Sequence, residues 1–123
     1  MDTAISPLKA AQSLTEHWSP RVIGELDEAY VKVARLRGRF TWHAHEDEDE
    51  LFYVLSGTLN LELEATTVRI GPGEMFIVPK GVRHHPFAEE DCFVMLIERK
   101  TTRHTGDTVT EGTRSIEDQL RPL

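Results

Sequence analysis

The sequence has one cysteine, Cys92, so no disulfide can close within the chain. A reducing compartment is the simplest expectation. Positive charge is also short: 14 Lys and Arg stand against 21 Asp and Glu, a net charge of −7. That balance lacks the basic footprint of a nucleic-acid binder and disfavours an anionic membrane surface. Neither partner is expected. No apolar run approaches the roughly 20 residues that a transmembrane helix needs. Met1 to Ala11 lacks a basic segment followed by an apolar core, so no secretion signal is read there. A cytoplasmic location is the resulting expectation. Internal repeats, linkers and low-complexity segments are absent as well.

What is present is the material of one domain. The chain has 123 residues, 39% hydrophobic and 28% charged, which fits a globular protein and not a disordered one. A chain of this size buries roughly 65–70% of its unfolded surface, enough for one core without disulfides. Residues 1–24 are weakly patterned and read as an N-terminal arm. Within it Ser6-Pro7 is placed to start a short helix, and Trp18-Ser19-Pro20 to break it. Strand signals fill residues 25–100. Tyr30 to Leu36 is β-branched and apolar, and Gly38 interrupts it as a bulge would. Glu50 to Leu55 is followed by the turn Ser56-Gly57. Leu59, Leu61 and Leu63 alternate with polar residues, the period of a sheet with one wet face. Thr67 to Ile70, Met75 to Val78 and Phe93 to Ile97 complete the set, with Gly71-Pro72-Gly73 and Pro79-Lys80-Gly81 as turns. Short strands separated by turns mean an all-β sandwich or barrel. Residues 101–123, polar and rich in Thr, read as an extended tail.

Four of the six histidines fall in two clusters, His43/His45 and His84/His85. Residues i and i+2 of a strand share a side, so His43 and His45 project together and Ala44 points away. Imidazole nitrogen is the commonest protein metal ligand. Glu50 returns to the same place after the acidic turn Glu46 to Asp49, and it is expected to be the one buried member of that run. His84 follows the Pro79-Lys80-Gly81 turn. Three histidines and one carboxylate form a site for one divalent cation with positions left open for a ligand. A purely structural role for these histidines is the competing reading.

These residues resemble the cupin family. Its first motif runs Gly, about five residues, His-x-His, three or four residues, Glu, six residues, Gly. Here His43-Ala44-His45 is followed by four residues, Glu50, six residues and Gly57. Its second motif runs Gly, five residues, Pro-x-Gly, two residues, His, three residues, Asn. Here Gly73, Pro79-Lys80-Gly81 and His84 keep that spacing, and Ala88 stands in the Asn position. Gly38 is one residue closer to His43 than the pattern has it. Neither departure touches the four ligand positions. Trp18-Ser19-Pro20-Arg21 and His104-Thr105-Gly106-Asp107 look like the flanks of a small bacterial cupin group, often labelled mannose-6-phosphate isomerase-like by analogy alone. The resemblance implies a double-stranded β-helix, a jelly-roll barrel with the ligands inward, often paired as a homodimer.

The expected site is therefore one divalent metal per chain, iron, manganese, nickel, cobalt or zinc, on His43, His45, Glu50 and His84. Thr41, Phe52 and Val54 share parity with these ligands and are expected to line the pocket. His85 faces the other way and is expected at the surface; Trp42 is expected in the outer core or an interface. Arg35, Arg37 and Arg39 read as exposed strand residues, and Cys92 as a small buried hydrophobe. Three functions remain open: a metalloenzyme with dioxygenase-like or Lewis-acid chemistry on a small molecule, a sugar isomerase or epimerase, and a non-catalytic module for a small ligand. An isomerase needs an interior base, and Glu50 is the only carboxylate the sequence pattern puts inside. Trp18, Pro20, Val22 and Ile23 form an apolar patch that a second copy could cover, which points to a homodimer.

Overall fold

The period-two runs of the sequence become strands whose alternate side chains enter one shared interior. The computed structural model describes residues 3–123, so the first two residues of the expected arm lie outside the described residues. Along them come α1 (Pro7–Gln12), β1 (Arg21–Leu26), β2 (Ala29–Arg39), β3 (Glu50–Ser56), β4 (Leu59–Glu62), β5 (Thr67–Ile70), β6 (Met75–Val78), β7 (His85–Arg99) and α2 (Ile116–Gln119). The strand pairs are antiparallel. One path runs β1-β2-β7-β3-β6, and β4 joins β5 to β7. Strand β7 serves both: His85 to Phe87 pair with β4, while Phe93 to Glu98 pair with β2 and β3. A strand that changes partners along its length folds the sheet around its own core, and the result is the expected all-β jelly-roll barrel.

Two features permit that curvature. Gly38, at φ +81°, marks a register shift between Leu36 and Gly38 in the β2–β7 pairing. This is the bulge that bends a long strand. Gly57, at φ +84°, turns β3 into β4, and a β carbon there would lie 2.6 Å from the Asp91 carbonyl oxygen. Only glycine fits both the backbone and the space.

Lys32, Ala34 and Leu36 of β2, Glu50, Phe52 and Val54 of β3, and Cys92, Val94, Leu96 and Glu98 of β7 are all buried. Most form one apolar core. The charged members of these series, Lys32, Glu50 and Glu98, stand together toward one end of the barrel. Burial pushes the Cys92 thiol up to about 12, so it stays protonated. On the outer surface Arg35, Arg37 and Arg39 meet Asp91, Glu90 and Glu62 at 2.6, 3.7 and 3.0 Å.

The ends depart from their expected outlines. Ser6 caps α1 by accepting the Lys9 N–H, with Pro7 in the first turn as expected. Ala10, Ala11 and Leu14 then bury against Val33 on the outside of β2. Strand β1 begins at Arg21, inside the expected arm; Gly24 had masked its pattern. Strand β7 starts at His85, eight residues before Phe93, because Pro86 and the exposed Glu89 and Glu90 hide its alternation. The tail is not an extended arm. It passes through turns and a short helix, with Thr102, Thr105 and Gln119 buried against the barrel.

Candidate metal centre

His43 and His84 sit directly opposite each other as an isolated antiparallel pair. Each backbone N–H donates to the other's carbonyl, at 3.1 and 2.9 Å. Opposite residues of an antiparallel pair share a face, so the two rings come within 4.3 Å, centroid to centroid. His45 is two residues on, its ring 5.0 Å from that of His43. The stretch around His43 and His45 lies outside the regular strands, yet the bridge imposes strand parity on it. Glu50 opens β3 and turns its carboxylate to the same point. Its Oε1 is 3.4 Å from His45 Nε2 and 3.3 Å from His84 Nε2. The acidic residues before it stay at the surface, and Asp49 accepts the Lys80 N–H at 2.9 Å, which ties that loop to the second motif.

The structure therefore brings the four expected ligands together. One donor atom from each of His43, His45, Glu50 and His84 lies within 4.8 Å of the others, and all four residues are buried. Ligands at about 2.0–2.2 Å from one ion can be at most about 4.4 Å apart, so only a small contraction is required. His43 Nδ1 lies 2.9 Å from the Thr41 carbonyl and His84 Nδ1 3.1 Å from that of Val82. A carbonyl accepts only, so these nitrogens carry the protons and Nε2 is left with a lone pair, the arrangement of a metal-binding imidazole. His45 Nε2, His84 Nε2 and Glu50 Oε1 are buried without hydrogen-bond partners. Orphaned buried polar atoms require an explanation, and a divalent cation would engage these three at once, leaving His45 Nδ1, also buried without a partner, to carry that ring's proton.

Charge in the site is polarised. Burial first, and then the neighbouring His84, lower His43 to about 4. Burial would also lower His45, but the Glu50 carboxylate, 3.4 Å away, prevails and raises it. Burial would raise Glu50, yet the contacts with His45 and His84 hold it well below the usual carboxylate range. Behind Glu50 stands a pair that the sequence pattern did not single out. Lys32 Nζ donates to Glu98 Oε2 at 2.7 Å, with both residues buried. Burial and the Glu50 charge push the Glu98 carboxyl up, against the pull of Lys32. Glu98 shares the parity of Val94 and Leu96, and Lys32 that of Ala34 and Leu36; that parity is the signal that could have found them. Glu50 is thus not the only interior carboxylate.

A cavity of about 40 Å³ opens above His43 and Glu50. Phe52 lines it, together with Leu96, Trp18, Phe40 and His104. Val54 does not: it is packed in the core beside Val94. Thr41 lies in an outer groove, and its contribution to the site is the carbonyl that holds His43. His85 points away from the ligands but is buried, not at the surface. Its Nε2 lies 3.0 Å from the Phe40 carbonyl, and Trp42 stacks on its ring at 5.3 Å. His104, from the tail, is a site residue that no periodicity marked.

The tail is strapped to the ligand loop. Asp107 N–H donates to the Ala44 carbonyl at 3.0 Å, and Asp107 Oδ1 accepts the Ala44 N–H at 3.0 Å. Gly106, at φ +56°, passes so close that a β carbon would lie 2.1 Å from Ala44 O and 3.2 Å from His45 Nδ1. Gly106→Ala is expected to cost about 1–3 kcal/mol of stability and to displace His45. Thermal melts with metal titrations check this; a variant equal to wild type in both would refute the strap.

Acid should destabilise the metal-free protein. His43 has a folded value near 4 against an ordinary 6.5, so between these values the unfolded chain binds a proton that the folded chain refuses. Stability then falls as pH drops from 6.5 toward 4, by about 3 kcal/mol for this group. His104, lowered to about 4 chiefly by burial, adds in the same sense. His45, being raised, offsets part: its contribution is complete below 6.5 and is lost as pH rises through its folded value. Urea unfolding at pH 7 and pH 4.5 measures the net effect, and equal free energies would contradict it.

Residues 30–98 match the family model of the cupin domain. The chain is 32% identical to the uncharacterized protein YdbB of Bacillus subtilis, over 76% of this chain and 83% of that one. It is 31% identical to a 3-hydroxyanthranilate 3,4-dioxygenase of Xenopus laevis, over 93% of this chain but 42% of the enzyme. Among solved structures, a cupin-2 domain containing protein from Shewanella frigidimarina superposes with a TM-score of 0.76 at 39% identity. That match covers 79% of this chain and 95% of the other.

Proposed function

The chain belongs to the cupin family, and on that premise we propose that it is an enzyme acting on a small molecule at one divalent cation held by His43, His45, Glu50 and His84. The observation that carries this reading is the group of buried, partnerless atoms on His45, His84 and Glu50, beside an apolar cavity that His43 and Glu50 line. A cation bound there supplies Lewis-acid charge and open coordination positions. The chain's own residues do the rest. Thr41 and Val82 carbonyls orient two of the imidazoles, and Phe52, Leu96, Phe40 and Trp18 keep water from the ligand. Likeness to a dioxygenase over most of this chain favours oxygen chemistry on a compact, chelating substrate. The test is elemental analysis of untagged protein, about one metal per chain being expected, followed by iron(II) loading and oxygen uptake with small phenols and diketones. Uptake no faster than with metal-free protein across that panel would count against an oxygenase.

One observation keeps a second reading in play. Glu98 provides an interior carboxyl beyond Glu50, and an interior base is what a sugar isomerase or epimerase needs. Deuterium wash-in from solvent into a sugar substrate, without oxygen use, would favour it. Ligand binding with no turnover in either assay would favour the non-catalytic module.

We further propose a homodimer. Trp18 and Pro20 of the expected apolar patch turn into the chain's own cavity, so the proposal rests on strand β1: among the described residues it pairs with β2 alone, and its other edge is the place for a second copy to add. Among the described residues no helix is long and apolar enough to cross a membrane. Light scattering at micromolar concentration should give about twice the chain mass of 14.0 kDa; the single-chain mass would refute the dimer.

A further inference from the structure

We propose that His104, carried over the cavity by the C-terminal tail, contacts the ligand directly, donating a hydrogen bond from Nε2 to an anionic oxygen or nitrogen held at the cation. The inference rests on the metal reading above and specifies what that site recognises.

The tautomer follows from one hydrogen bond. The Arg114 backbone N–H donates to His104 Nδ1 at 2.8 Å. A nitrogen that accepts an N–H has a lone pair and no proton, so the proton of the neutral ring is on Nε2. The donor here is main chain, so the tautomer does not depend on the identity of the Arg114 side chain. With Nδ1 turned to the tail, Nε2 is the nitrogen left for the cavity, and among the described residues it has no protein partner.

The ring is also held in place. Phe40 packs on it at 5.1 Å, and Trp18 stacks on Phe40 at 4.7 Å. Trp18 is fixed in turn by Nε1–H donation to the Arg37 carbonyl at 2.8 Å, with its backbone at φ +56°. A bulky residue in that conformation persists only where its surroundings over-determine it. On the tail side, Thr105 is buried and hydrogen-bonded to Thr113 at 2.7 Å.

The cavity's chemistry indicates the ligand class. Apart from His43 and Glu50, its polar lining residues are His104 and Trp18, and the Trp18 N–H is already taken. Three neutral imidazoles, one carboxylate and a divalent cation leave a positive centre. A positive floor, one N–H donor above it and apolar walls select a small molecule with an apolar body and one anionic acceptor. A carboxylate, phenolate or enolate has that chemistry. A donor with no protein partner favours such a ligand over one with nothing to accept.

The test uses azide, a small anion with acceptor nitrogens, on the full chain loaded with cobalt(II) and read by visible absorption. Wild type should bind azide; His104→Phe, which keeps a ring and removes the donor, should bind it about 10-fold or more weakly. His104→Gln, which retains an N–H, should recover part of the loss. Equal azide affinity in wild type and His104→Phe at equal cobalt content would overturn the inference and leave the metal reading standing. Failure of wild type to take up cobalt would overturn the metal reading and this role with it. A second measurement needs neither variant nor metal: long-range ¹H–¹⁵N correlation of the metal-free protein should show His104 protonated at Nε2. A proton at Nδ1 would overturn the inference.

Discussion

His84→Ala is expected to strip the metal from the protein, and His85→Ala to leave it bound. The two residues are consecutive, so they face opposite sides of the backbone. His84 is fully buried, bridged to His43, and turns Nε2 toward Glu50. Loss of a residue that merely orients a ligand already costs 10–100-fold in metal affinity. Loss of a ligand itself should cost more than about 100-fold, as both a bond and a wall of the site disappear. His43→Ala should behave like His84→Ala. His85→Ala should instead lower stability by about 1–3 kcal/mol, since it removes the partner of the Phe40 carbonyl and the ring under Trp42. Elemental analysis of the three variants, with thermal melts, separates these outcomes. Full metal in His84→Ala, or its loss in His85→Ala alone, would refute the assignment.

Lys32→Met should be among the most destabilising substitutions in the barrel, by about 3–5 kcal/mol near neutral pH. The ammonium is fully buried and paired at 2.7 Å, and its removal leaves Glu98 beside the charged Glu50 with no counter-charge. The penalty has a definite pH sign. An unpaired buried carboxyl has a raised folded pKa, so it costs stability above its unfolded value near 4.3, and the cost fades as pH falls toward that value. Removal of both charges in Lys32→Met/Glu98→Gln should restore most of the loss, because replacing a buried ion pair as a unit is often nearly neutral. Urea denaturation of the two singles and the double at pH 7 and pH 5 completes the cycle. A Lys32→Met protein as stable as wild type at pH 7 would show that the pair carries no such burden.

These effects mark the boundary between what the chain states locally and what packing decides. The sequence by itself determined the barrel and the four candidate ligands. Strand parity makes His43 and His45 neighbours, the Glu50-to-Gly57 spacing places a carboxylate at a strand start, and the Pro79-to-Gly81 turn delivers His84 in phase. Each of these is a short-range constraint of period two or of turn chemistry, and such constraints survive folding unchanged. Lys32 and Glu98 obeyed the same parity, but charged residues are so rarely fully buried that composition spoke against them. Only the tertiary structure paired them across β2 and β7 and so made their burial tolerable. His85 was legible as outward-facing but not as buried, because its cover comes from Trp42 and the Phe40 carbonyl, 43 and 45 positions away in number from 85 to 42 and 40. The roles of His104 and Gly106 depended wholly on the route of the tail over the barrel mouth. That route is set by hydrogen bonds between segments 63 residues apart, such as those of the Ala44 main chain with Asp107, and no local period records a contact made at such a distance along the chain.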